Sequence, residues 1–158
     1  MSNGEWNSPL LSVRTPEWVL GLYAFLLHFL WEMLQTPFFA DMTGMPHWPA
    51  TLLCLRATVG DVAIALAAFA AAAAMQKSRG WFVAPARNAL LAYVLVGVVA
   101  TVALEIHATT QGRWSYSGLM PVIPGLGVGM VPLAQWLILP WPLLFLLRRH
   151  HLGARHPY

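Results

Sequence analysis

His28-Phe29-Leu30-Trp31-Glu32-Met33-Leu34-Gln35 sets a histidine, a carboxylic acid and an amide inside a run that is otherwise apolar. That run, WVLGLYAFLLHFLWEMLQTPFF over residues 18–39, matches the ~20 residues a helix needs to cross a bilayer. Thr15-Pro16-Glu17 just before it resembles a helix start, with proline in the first turn. On a helix, Phe25, His28, Glu32, Gln35 and Phe39 fall on one stripe, because steps of three and four residues return to nearly the same direction. A lone carboxylate in hydrocarbon costs roughly 3 kcal/mol or more. Glu32 therefore requires partners elsewhere in the chain.

Three further runs are apolar enough to span, at about residues 51–75, 88–109 and 120–147. In the second, Ala57, Asp61, Ala65, Ala68 and Ala72 share a face of small side chains, which lets another helix approach closely. In the third, Gly97, Thr101 and Glu105 do the same, and again an acid ends the stripe. The fourth opens with Pro121, Pro124, Gly125, Gly127, Gly129 and Pro132. Each proline removes a backbone donor and each glycine loosens the turn, so this half cannot be a regular helix. Such backbone is tolerated at membrane depth when it is buried in protein or lines a wet cavity. The expected fold is all-α: a polytopic membrane protein, a four-transmembrane-helix bundle with a Pro/Gly-broken fourth helix. Residues 1–158 form a single integral membrane domain.

Composition agrees. Of 158 residues 58% are hydrophobic and only 9% charged, against roughly 25% charged in an average soluble domain. The net charge of +3 comes from basic residues placed singly or in pairs beside apolar runs, a membrane-topology pattern without the aromatic-basic patch of a nucleic-acid protein. One cysteine, Cys54, excludes an intramolecular disulfide and a thiolate metal cluster. A cleaved signal peptide is not expected, since the first apolar run is too long and carries Glu32. Four spans place both termini on one side, together with Arg14, Lys77, Arg79, Arg87, Arg148, Arg149 and Arg155; Arg56 and Arg113 lie opposite. The positive-inside rule puts that first side in the cytoplasm, and the protein in the inner membrane.

At ~1.5 Å per residue, this orientation sets His28, Asp61 and Gln135 near the midplane and Glu32, Gln35 and Glu105 in the outer half. Trp114 and Tyr116 lie in the loop on that side. Three intramembrane acids with a histidine and two amides in one slab point to a site. Carboxyls in unlike surroundings can act as proton donor and acceptor, and tryptophan faces stabilise cations. Glu32 and Glu105 read as a proton-transfer pair tuned by His28 and Asp61. Trp31, Gln35, Trp114, Tyr116, Gln135 and Trp136 would line the substrate. The chemistry suits isomerisation or cyclisation of an isoprenoid- or sterol-like lipid. No cofactor is expected and no metal, since Glu105 and His107 point to different faces and no Glu-x-x-His repeat occurs. The alternative is a non-catalytic accessory or assembly subunit, its polar cluster serving packing, with a second copy or a membrane complex as partner. Trp18, Trp48, Trp81, Trp114 and Trp141 read as interface anchors, a reading that for Trp114 competes with its place at the site. Arg113 reads as a loop cation, while Arg56 is open between Asp41, Asp61 and a lipid head group. His150, His151 and His156 form a basic tail at the lipid surface.

The run Gly112-Arg113-Trp114-Ser115-Tyr116, followed by the stretch from Gly125-Leu126-Gly127 through Met130-Val131-Pro132-Leu133-Ala134-Gln135-Trp136, resembles the end of the membrane lycopene cyclase domain of carotenoid pathways. That family carries an acid before a Gly-x-Trp-x-Tyr or Gly-x-Trp-x-Phe element, then Gly-Leu-Pro-x-Glu-Glu opening the next helix. The resemblance implies that Glu105 matches the upstream acid, Trp114 the aromatic, Pro132 the proline and Gln135 one of the two glutamates. Ala134-Gln135 stands where the family has its paired acids. The resemblance covers about 35 residues of the second hairpin.

Overall fold

A computed structural model describes residues 15–153. Five α-helices follow in order: α1 Pro16–Gln35, α2 His47–Gln76, α3 Arg87–Thr110, α4 Met130–Ile138 and α5 Pro140–Gly153, with short 3-10 turns at Thr36–Phe38, Ala40–Met42 and Trp81–Val83. The last two helices form one continuous apolar span, Met130–Gly153, so four helical segments are long and apolar enough to cross a membrane. The chain is an all-α, multi-pass membrane protein. Arg14, Arg155 and His156 lie outside the described residues.

The helix ends follow local chemistry. Thr15 is extended and Pro16 opens α1 with a φ already suited to a helix. α1 tightens into a 3-10 turn where Thr36-Pro37 interrupts the donor pattern. Lys77 closes α2 in the left-handed conformation at φ +53°, and the Ser78 N–H returns to the Ala73 carbonyl at 3.0 Å, the bonding that caps a helix C-terminus.

Small residues set the packing. α2 lies against both α1 and α3, while α1 also meets α5 and α3 meets α4. Ala24, Ala65, Ala68, Ala72 and Ala89 are wholly buried; of the small-residue face expected on α2, Ala65, Ala68 and Ala72 meet neighbouring helices while Ala57 is exposed. Gly97 is the tightest point, because a Cβ there would fall 1.9 Å from Cε3 of Trp136. At the opposite end of the helices Phe69, Trp81, Phe82 and Tyr93 form an aromatic cluster with ring centroids 5.5–5.9 Å apart. Trp81 is therefore a core residue and not an interface anchor: its side chain is 0% exposed, whereas Trp18, Trp48 and Trp141 stand out from the surface. Nor is the histidine tail only a lipid-facing feature. The His150 ring meets Tyr23 edge-on and His151 meets Phe82 in the same manner.

The outer surface is apolar. Leu22, Leu26, Leu30 and Leu34 recur one turn apart along α1 and each is more than half exposed. A stripe of that kind is unfavourable in water and neutral against lipid chains.

The fourth span differs from expectation. Residues 120–129, expected as its irregular first half, precede the helix and fold as a loop closed on itself. Gly125 and Gly127 take φ of +84° and +65°, conformations glycine adopts without a Cβ penalty. The Ile123 N–H bonds the Val128 carbonyl at 2.9 Å, and the Met130 N–H bonds Pro121 at 2.8 Å. The helical break falls later, at Leu139-Pro140, where Pro140 has no N–H to continue the ladder. The indole of Trp141 donates to the carbonyl of Leu137 at 2.9 Å in the same turn. The two linkers on this side also pair: Ala40 N–H bonds Ser115 O and Ser117 N–H bonds Phe38 O, each at 2.9 Å. Together they roof one end of the bundle.

Candidate functional site

Each of the first three helices brings one acid to a common cavity: Glu32 from α1, Asp61 from α2 and Glu105 from α3. Its volume is about 500 Å³, within the range of small-molecule pockets. Gln35, Gln135 and Trp114 add polar edges. Leu53, Ile64 and Leu104 supply apolar wall, and Phe39 and Met42 reach it from the linker after α1.

The acids are held by different partners. Glu32 accepts a hydrogen bond from the Gln35 amide at 2.6 Å, one helical turn away. Glu105 accepts two on the same oxygen, from the Trp114 indole at 3.3 Å and from the Tyr116 hydroxyl. Tyr116 in turn accepts the Gly129 N–H at 2.9 Å, which ties the roof loop to the acid beneath it. Burial, with the Glu105 carboxyl alongside, pushes the Tyr116 hydroxyl well above the ordinary phenol range. The phenol thus stays a donor throughout neutral pH.

Deeper in the bundle, the Gln135 amide donates to Nδ1 of His28 at 2.5 Å and to Oδ2 of Asp61 at 3.0 Å. His28 Nδ1 and Asp61 Oδ2 are themselves 3.6 Å apart. His28 is 1% exposed and Gln135 2%, while Asp61 and Gln135 line the cavity, so this cluster pins α1, α2 and α4 together at the cavity's inner edge.

The predicted residues divide by position. Glu32, Asp61, Glu105, Gln35, Gln135 and Trp114 line the cavity; His28 and Tyr116 stand behind it, each bonded to a lining side chain. Trp136 and Trp31 differ from their expected place. Trp136 is buried against Gly97, with its ring 5.1 Å from that of His28, and Trp31 is not among the lining residues. Trp31 neighbours Glu32 in sequence, but successive residues on a helix point about a quarter-turn apart.

Sequence reasoning missed Arg56, Arg113 and Asp41 as neighbours of the cavity. Asp41 accepts both the backbone N–H and the hydroxyl of Ser115, at 2.5 and 3.1 Å, so it pairs with the roof and not with Arg56. The available signal was Arg113 beside Trp114, and Arg56 little more than a turn from Asp61. Among the described residues no group of three His, Cys, Asp or Glu side chains is arranged to hold a metal ion, and His107 is exposed while Glu105 is buried.

No family model, curated protein or solved structure matches this chain.

Proposed function

We propose that this chain is an integral membrane enzyme that moves protons on a hydrophobic, isoprenoid- or sterol-like substrate, as an isomerase or cyclase does. The observation that carries it is the meeting of three carboxyls, one from each of three helices, in a single cavity with apolar walls. Such a reaction needs one carboxylic acid and one carboxylate facing the same carbon skeleton. Glu105, with two donors on one oxygen, is built as the acceptor; Glu32 is the donor. Glu32 would protonate a double-bond carbon. The resulting cation would rest against the face of Trp114, and Glu105 would remove a proton from the neighbouring carbon. One proton is added and one lost, so the product is an isomer, or a ring if a second double bond attacks the cation first. Asp61 would relay the proton that Glu105 gained back to Glu32, resetting both acids, and His28 and Gln135 fix Asp61.

The four positions that carry the resemblance to the lycopene cyclase domain, Glu105, Trp114, Pro132 and Gln135, all line this cavity, which favours the same reading. The basic residues Lys77, Arg79, Arg87, Arg148 and Arg149 favour an inner-membrane orientation with both termini cytoplasmic. The cavity then opens toward the outer half of the bilayer.

The test begins with lipid that co-purifies from native membranes in one-to-one ratio. Incubated with the protein in D2O, it should gain deuterium at an allylic carbon, and Glu32→Gln and Glu105→Gln should fold normally yet lose that exchange. The accessory-subunit reading is favoured by one observation, the His28–Gln135–Asp61 cluster joining three helices. It would prevail if a stoichiometric protein, and no lipid, came away with the chain, or if both glutamine variants failed to assemble.

A further inference from the structure

Arg56 and Arg113 line the cavity from separate segments, α2 and the loop after α3. Among the described residues neither guanidinium makes an ion pair or a hydrogen bond, although the cavity they border contains carboxyls. Asp41, the acid in the roof, is taken by Ser115. α2 has 30 residues and is therefore ~45 Å long, about 15 Å more than a hydrocarbon core. Arg56 lies nine residues after its start, ~13 Å along, in the outer half of the hydrocarbon between the surface and the midplane level of Asp61. A cation there without a protein counter-ion is costly, and a forked guanidinium is matched geometrically to an oxyanion. Asp61 lies five residues, ~7.5 Å, deeper on the same helix, with Leu53, Ile64 and Leu104 walling the space.

Resting on the substrate-pocket reading above, we propose that Arg56 and Arg113 form an oxyanion-binding mouth. The molecule taken up is then a single-chain amphiphile, its phosphate or carboxylate head at the two arginines and its apolar chain running past Leu53 and Leu104 to Glu32 and Asp61. The chain is bound with a fixed register, so the acids act at a set distance from the head. A neutral hydrocarbon has no group that would use the two cations. Arg113 accordingly changes from a loop cation to a recognition residue.

Calorimetric titration of the purified full chain in a neutral detergent tests this with dodecyl phosphate, 1-dodecanol and inorganic phosphate as separate probes. Dodecyl phosphate should saturate at one per chain. Arg56→Gln and Arg113→Gln should each weaken it by about tenfold or more, the loss expected for one charge-assisted contact. Dodecanol should bind more weakly and identically to all three proteins, which also reports that the variants are folded. If dodecanol binds as tightly as dodecyl phosphate and the arginine variants alter neither, the anion site is refuted while the hydrophobic pocket stands. If neither amphiphile saturates, the pocket reading itself falls. Inorganic phosphate binding as tightly as dodecyl phosphate would overturn the amphiphile in favour of a small anion. Tighter binding of a two-chain phosphatidic acid would overturn it in favour of an ordinary membrane lipid.

Discussion

Gln135 shows how much one side chain can decide. Its amide nitrogen carries two hydrogens and uses both, one toward His28 and one toward Asp61. No other amide or hydroxyl among the described residues bridges two ionisable groups on different helices in this way. Replacing it by leucine keeps the volume but leaves a buried imidazole nitrogen and a carboxylate oxygen without a donor, an outcome that typically costs about 1–3 kcal/mol. Gln135→Leu is therefore expected to lower the detergent melting temperature, while Gln135→Glu, whose protonated acid can donate to only one of the two partners, should fall between. Equal melting of all three proteins would show that the contact contributes nothing. His28, Glu32, Asp61, Glu105 and Gln135 were legible in the sequence as a depth-matched set, because polar side chains in apolar helices are conspicuous and helical rise converts number into depth. Equal depth could not say which of them touch. The direct partner of Glu105 proved to be the loop pair Trp114 and Tyr116, while Asp61 turned toward His28 and Gln135.

At the scale of elements, α3 and α4 meet where one residue has no side chain. Gly97 faces the Trp136 ring so closely that a methyl group would overlap it. Gly97→Ala should cost about 1–3 kcal/mol through overpacking, occasionally more, read as a lower melting temperature, and the double variant with Trp136→Phe should recover part of the loss by opening the space. A Gly97→Ala protein that melts like the parent would mean that α4 shifts freely. The small-residue stripe containing Gly97 was evident from its spacing, but its partner was not, since no feature of α3 names the tryptophan it accepts. The irregular stretch before α4 was partly readable. Its prolines and glycines ruled out a regular helix, yet Leu119, Val122 and Leu126 are as apolar as helix residues, so hydropathy extended the span ten residues too far. What separates loop from helix here is the bonding of Ile123 to Val128 and of Met130 to Pro121, contacts that composition does not encode.

For the whole molecule, the two ends of the bundle are chemically unlike. Lys77, Arg79 and Arg87 gather in the α2–α3 turn, with Arg148 and Arg149 near the end of α5; the Arg79 guanidinium grips Glu17 at 2.7 Å on the exposed surface. The roof linkers carry Arg113 alone among cations. This asymmetry predicts a single orientation. In a Cys54→Ser background, Gly118→Cys should react with an impermeant maleimide added outside intact cells, and Ser78→Cys should react only after the membrane is opened. The reverse labelling would invert the topology and turn the cavity toward the cytoplasm. Four helical spans, their order and their small-residue faces follow from hydropathy and periodicity, because a bilayer forces every backbone donor into a local helix and leaves the pattern local as well. The fold class, and Glu32 as a group in need of company, were thus determined by the sequence. Only the tertiary structure decided that Glu32, Asp61 and Glu105 open onto one cavity, that Arg56 and Arg113 stand at it without an ion-pair partner among the described residues, that Trp31 lies off it and that Trp81 is core. Those facts depend on the rotation of each helix about its axis and on how two linkers pair across the bundle, and both are set by contacts between residues far apart in the chain.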